Sequence, residues 1–134
     1  RFVGICPPDN YRIVTNDIVN LLSPTEFFWC GRIDNVINTG GLKVFPEEIE
    51  PIIGEVITNV RFFVTSQPSE KWGEELVLAL EYTTMQDDEQ KTGEIRPDFI
   101  EKLRLKLPSH AIPRKYIAVK HFKETTTGKI IREL

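Results

Sequence analysis

Apolar residues along this chain gather into short runs punctuated by Gly, Pro, Asn and Asp. "DNYRIVTNDIVNLL" is rich in Val, Ile and Tyr, with Asn and Asp breaking it, and reads as β structure. "EFFWCGRI" predicts a strand ended by Gly31. "NVINTGGLKVF" predicts two short strands bent at Gly40 and Gly41, a hairpin pattern. "FPEEIEPIIGEV" predicts a helix, because Pro46 suits a first helical position and Glu47 and Glu48 suit its positive end. Pro51 removes an interior hydrogen bond, so that helix is short, kinked or late to start. "NVRFFVT" and "EELVLALEY" are nearly continuous apolar runs, the pattern of strands buried on both faces. "SQPSEKWGE" between them reads as a loop, with Trp72 packed beneath it, and "TTMQDDEQKTGEIRP" as an exposed polar stretch. "PDFIEKLRLKL" sets Phe99, Ile100, Leu103 and Leu107 at helical spacing, stopped by Pro108. "YIAVKHF" predicts a further strand. The order implies an α+β fold: a small central β-sheet with packed helices plus a β-hairpin.

A length of 134 residues fits one ordinary domain with one sizeable core. Net charge is −3, from 20 acidic and 17 basic residues, so the basic face that nucleic acid requires is missing from the totals. No apolar run is long enough to cross a bilayer as a helix. Cys6 and Cys30 make no disulfide framework and no metal-ligand spacing, which points to a reducing cytoplasm. The opening "RFVGICPP" has neither a cap nor a signal-peptide layout and reads as the start of an excised segment of a longer chain.

Three stretches carry candidate chemistry. In "GRIDNVINTGG", Gly31 allows a sharp turn, Arg32 can hold a phosphate or ribose oxygen, and Gly40-Gly41 lets backbone approach a ligand. The same stretch also reads as a solvated hairpin with an ordinary surface pair between Arg32 and Asp34. Asp17, in "TND", can accept from ribose hydroxyls or simply make a turn. "TTTGKII" places Lys129 on a Thr-rich terminal loop, where its ammonium can meet a phosphate or carboxylate or merely face water. It is not a phosphate-cradling P-loop, because Lys123 and Glu124 stand where the earlier glycine would be needed. His110 and His121 have no partner suggested by spacing.

Taken in order, these stretches resemble the C-terminal domain of acyl- and aryl-CoA synthetases. These are adenylate-forming enzymes, grouped with luciferases and the adenylation domains of nonribosomal peptide synthetases. "GRIDNVINTGGLKVFPEEIE" is similar to the signature that begins that domain, and "TTTGKIIREL" to its final lysine motif. "YRIVTND" resembles a strand ending in Thr-Gly-Asp, with Asn16 in place of glycine; "WGEELVLALEY" and "LPSHAIPRKYIAV" also fit. Glu124 and Thr125 stand where a proline is common. The wording lies nearest the o-succinylbenzoate–CoA ligases of menaquinone synthesis.

The resemblance implies two half-reactions, with ATP and CoA as co-substrates of a small-molecule carboxylic acid. The acid is first converted to an acyl-adenylate, and CoA then displaces AMP. It implies a mobile C-terminal lid domain that rotates between the two steps. It implies that Lys129 is catalytic in adenylation and that Asp17 and Arg32 hold the nucleotide. Asp34 is then the hinge, and Gly40, Gly41 and Lys43 lie near the pantetheine arm. Residues 1–33 become the tail of an N-terminal adenylate-binding domain, and residues 35–134 the lid. Mg2+ would bind outside this chain, and the chain alone would be inactive. Two alternatives are a lid that loads a carrier protein and a non-enzymatic α+β interaction module.

Overall fold

A computed structural model describes residues 3–5, 14–82 and 91–132. Three strands form a first antiparallel sheet: β1 (Val3–Ile5), β2 (Asp17–Ser23) and β3 (Glu26–Arg32), in the order β1-β3-β2. A single 3-10 turn, Ile33–Asn35, leads out of β3 into the remainder of the chain. There, the strands β4 (Ile37–Thr39) and β5 (Leu42–Val44) make the hairpin expected at Gly40-Gly41. Helix α1 spans Pro46–Gly54, with Pro46 at its start and Pro51 inside it, so the expected short helix is found.

The second sheet is organised by β7 (Gly73–Glu81). Its one edge pairs along its length with β6 (Phe62–Ser69). Its other edge receives β4 at Thr39, opposite Gly73, and then β9 (Lys115–Val119) in parallel from Val77 onward. Between β7 and β9 the chain adds β8 (Lys91–Glu94), antiparallel to β9, and then α2 (Pro97–Arg104).

Leu76, Val77, Leu78 and Ala79 of β7 are all at or below 6% exposure, so this strand is covered on both faces. Leu76 and Leu78 join Ile37, Val44, Ile49, Ile53 and Leu103 in the larger core beneath the helices. Ala79 joins Phe63, Val119 and Phe122 on the opposite face, with Ile130 packed against them. The continuous apolar run in β7 thus follows from two cores sharing one strand.

Several sequence expectations need correction. Gly31 does not end β3, which continues through Arg32. "SQPS" is not loop: cross-strand pairing draws it into β6 and leaves only Glu70–Trp72 between β6 and β7. The polar stretch after Tyr82 contains a strand, since Lys91–Glu94 finds a free edge on β9; residues 83–90 lie outside the described residues. Helix α2 stops at Arg104, before Pro108, although Leu107 remains buried through a turn in which its N–H donates to the Leu103 carbonyl. Asp17 opens a strand instead of closing one, and Tyr11, Arg12 and Ile13 of "YRIVTND" lie outside the described residues. Trp72 is half-exposed instead of packed under its loop.

Candidate functional site

Antiparallel pairing sets Asp17 directly opposite Arg32 across β2 and β3. The Arg32 guanidinium lies 3.6 Å from Asp17 Oδ1, and the Trp29 indole N–H donates to the same oxygen at 3.1 Å. Those donors hold the Asp17 carboxyl below the usual carboxylate range: first the Trp29 hydrogen bond, then that of Thr15, then the Arg32 charge. The partner of Arg32 is therefore Asp17 and not its near neighbour Asp34. Both side chains keep solvent access, at 48% and 30%, so a fixed carboxylate and a fork of guanidinium donors face outward together. Such a pair can take a ribose diol and a phosphate oxygen.

Asp34 occupies the exposed middle of the 3-10 turn between the sheets and has no side-chain partner among the described residues. The turn is spanned from outside by Glu47, in the first turn of α1. Its Oε1 accepts from the Asn35 side-chain amide at 2.7 Å and weakly from the Arg32 N–H at 3.4 Å. Its Oε2 is buried with no hydrogen-bond partner among the described residues. A Cβ at position 31 would stand 2.6 Å from that oxygen, so the carboxylate fits only because Gly31 has no side chain.

At the β4–β5 turn, Gly40 and Gly41 have φ of +58° and +81°, the two positive values a tight hairpin turn requires. Gly40 also lies under Trp72, whose ring would be 3.0 Å from an added Cβ, and its N–H donates to the Trp72 carbonyl at 2.8 Å. Among the described residues nothing lies within 4 Å of a Cβ added at Gly41. Lys43 is exposed on β5, at the rim of a groove of about 580 Å³ that Phe45, Glu48, Pro51, Leu107 and His110 also line.

The terminal lysine motif is more ordered in its backbone than a loop reading suggests. Glu124 and Ile130 face each other as an antiparallel bridge. Inside it the Thr125 N–H donates to the Lys129 carbonyl at 2.8 Å, and the Lys129 N–H donates to Thr125 Oγ1 at 3.1 Å. Gly128, at φ +84°, closes the turn. The Thr-rich spelling thus builds a miniature hairpin, with Lys129 exposed and free of ion pairs among the described residues.

Ile130 packs on the sheet face opposite the helices, whereas Ile37 and Val44 of the glycine hairpin enter the helix-side core. The two hairpins also attach at opposite ends of β7: Thr39 pairs with Gly73, while Glu81 accepts from the Phe122 N–H at 2.7 Å. Eight strand steps separate those ends, or about 26 Å. The structure therefore brings Asp17 and Arg32 together and sets Lys129 apart from Gly40, Gly41 and Lys43. Sequence reading took Glu47 only as a helix-start residue and missed Arg61 and Glu81. The last two bracket the paired runs "RFFV" and "LALE", a pattern that antiparallel pairing would have placed side by side.

Among the described residues, no group of three or more His, Cys, Asp or Glu side chains could hold a metal ion. No described helix is long and apolar enough to cross a membrane.

No family model matches the chain. It is 32% identical over 120 residues to a 2-succinylbenzoate–CoA ligase of Listeria monocytogenes, a match covering 88% of this chain and 24% of that protein. It is 28% identical over 120 residues to a medium/long-chain-fatty-acid–CoA ligase of Mycobacterium tuberculosis, covering 86% of this chain and 20% of that protein. Among solved structures it resembles an acyl-CoA synthetase (AMP-forming)/AMP-acid ligase II-like protein of Dyadobacter fermentans. There the TM-score is 0.59 at 28% identity, over 88% of this chain and 33% of that one. The chain spans only about a quarter of the length of the curated relatives it matches. Aligned over most of its own length with these enzymes, and sharing their fold, it is a homologue of AMP-forming acyl- and aryl-CoA ligases and corresponds to their C-terminal part.

Proposed function

We propose that this chain is the lid region of an ATP-dependent carboxylic acid–CoA ligase, with o-succinylbenzoate, an acid of menaquinone synthesis, as its substrate. In the first step a carboxylate oxygen attacks the α-phosphorus of ATP; an acyl-adenylate forms and pyrophosphate leaves. In the second, the thiolate of CoA attacks the acyl carbon and AMP leaves. The cytoplasm, where ATP and CoA are at hand, is the compartment this reading implies.

The observation that carries the reading is the separation of the two hairpins, on opposite faces and opposite ends of β7. One active site in a larger domain can meet Lys129 in one orientation of the lid and Gly40-Gly41 in another. Lys129 would offset negative charge developing between carboxylate and phosphate, the kind of donor whose loss costs about 10²–10³ in rate. Asp17 and Arg32 would hold the ribose and a nucleotide oxygen. Gly40 and Gly41, with Lys43 beside them, would flank the pantetheine arm.

The division into residues 1–33, a hinge at Asp34 and residues 35–134 is supported by the two sheets meeting at one 3-10 turn. Val19, Leu21 and Leu22 of β2 are 41–67% exposed, a surface that suits burial against the bulk of a larger N-terminal domain.

The test uses the complete polypeptide with ATP, CoA and a panel of acids: o-succinylbenzoate, octanoate and palmitate. Pyrophosphate release with o-succinylbenzoate alone is expected, and turnover of only a fatty acid would replace the substrate assignment. Lys129→Ala should lower ATP–pyrophosphate exchange about 10²-fold or more. It should leave transfer of a pre-formed acyl-adenylate to CoA nearly intact. An equal fall in both half-reactions would sink the two-orientation reading. The 134-residue chain alone should release no pyrophosphate.

A further inference from the structure

We infer that Arg61 is a positioning residue for Lys129, acting through a carboxylate clamp that fixes the base of the lysine hairpin. The inference rests on the adenylation role proposed for Lys129.

Arg61 precedes β6 and lies across from Glu81 at the end of β7. Its Nε and one terminal nitrogen donate to the two oxygens of Glu81 at 2.9 and 2.7 Å, a bidentate pair. The same terminal nitrogen lies 2.6 Å from Glu124 Oε1. Glu124 is the residue whose backbone bridges Ile130, one position past Lys129. Glu81 also accepts from the Phe122 N–H at 2.7 Å, and so grips the chain two residues before Glu124. The guanidinium lies over the Phe122 ring, 5.9 Å from its centroid. One arginine therefore ties the end of β7 to both the entry and the first rung of the hairpin. The two carboxylates push the Arg61 guanidinium further into its charged range, and Arg61 holds Glu81 below the usual carboxylate range.

The other limb has its own arginine. Arg132 donates to Glu50 Oε2 of α1 at 2.6 Å and reaches the Val64 carbonyl at 3.4 Å. With both limbs held, the direction of the Lys129 stem follows the sheet. Only the side-chain torsions stay free. A lysine that must meet a developing charge to within a few tenths of an ångström gains from that restriction, since a ~1 Å misplacement costs up to about 10² in rate. Arg61 touches no substrate in this scheme.

The experiment compares the two half-reactions in the complete polypeptide for Arg61→Gln, Arg61→Lys, Glu124→Gln and Lys129→Ala, using the acid that gives turnover in the panel. Arg61 is 42% exposed, so its loss should leave the fold intact, as thermal unfolding would report. Arg61→Gln is expected to lower ATP–pyrophosphate exchange about tenfold, with transfer of pre-formed acyl-adenylate to CoA unchanged within about twofold. Glu124→Gln should show the same split more weakly, and Arg61→Lys should restore part of the exchange. The clamp is overturned if Arg61→Gln leaves exchange unchanged beside a defective Lys129→Ala, or if it lowers both half-reactions alike. Unchanged exchange in Lys129→Ala would remove the adenylation role itself, and the clamp with it.

Discussion

Glu47 places one carboxylate oxygen against an amide and the other against bare backbone, and the second placement is possible only beside a glycine. A methyl group at position 31 would meet Oε2 at 2.6 Å, so the carboxylate must swing away and release Asn35. Gly31→Ala is therefore expected to destabilise the chain by about 1–2 kcal/mol, from one lost hydrogen bond and local overpacking. In a Glu47→Ala background the same change should cost less than about 0.5 kcal/mol, because its obstacle is gone. Denaturant unfolding of the four proteins in this cycle measures the coupling, and additive costs would show that Gly31 and Glu47 do not compete for one space. Residues of this kind are the least legible from sequence. Gly31 reads correctly as a turn-permitting residue but serves as a socket, because the group that needs the space lies 16 positions further on. The turn at Gly40 and Gly41 is legible because the two glycines themselves define it.

At the scale of elements, what holds the lysine hairpin in place is charge. Glu81 is held below the usual carboxylate range, first by the Arg61 hydrogen bonds, then by the Phe122 N–H, with Arg61 and His121 as nearby charges. Its unfolded value is near 4.3. A carboxylate whose folded value is the lower one contributes stability that is complete above the unfolded value and is lost as pH falls through the folded one. Between pH 6 and pH 3 the thermal midpoint should therefore drop further in the unmodified chain than in Glu81→Gln, by on the order of 3 °C. Equal drops would show that Glu81 protonation leaves the fold indifferent. Legibility among elements followed the range of the forces. The glycine hairpin carries its own turn residues and α1 its own starting proline and first-turn acids, and both were readable. The extension of β6 through "SQPS" and the existence of β8 were not, since both depend on a partner edge that no local propensity encodes. The α+β class was readable throughout, because the two-faced burial of β7 writes itself as an unbroken apolar run.

Among the described residues the fold is two sheets, joined by the four residues 33–36, with Asp34 exposed between them. A hinge works by changing a few backbone torsions while its flanks stay rigid. Proline at position 34 would fix φ near about −65° and remove one N–H. Asp34→Pro in the complete polypeptide should keep adenylation within about tenfold and lose thioester formation far more severely. Asp34→Ala should be mild in both. Single-turnover assays of each half-reaction decide it, and equal losses in the proline variant would make Asp34 a structural residue. In the proposed scheme the two hairpins must lie a set distance apart for one rotation to exchange them, and β7 sets that distance. It acts as a gauge bar. Removing any two adjacent residues from its middle would keep every remaining side chain on its own face, yet would bring the lysine hairpin and the glycine hairpin about 7 Å closer. Side chains along β7 can be exchanged wherever volume is conserved, whereas its length in residues admits no such freedom.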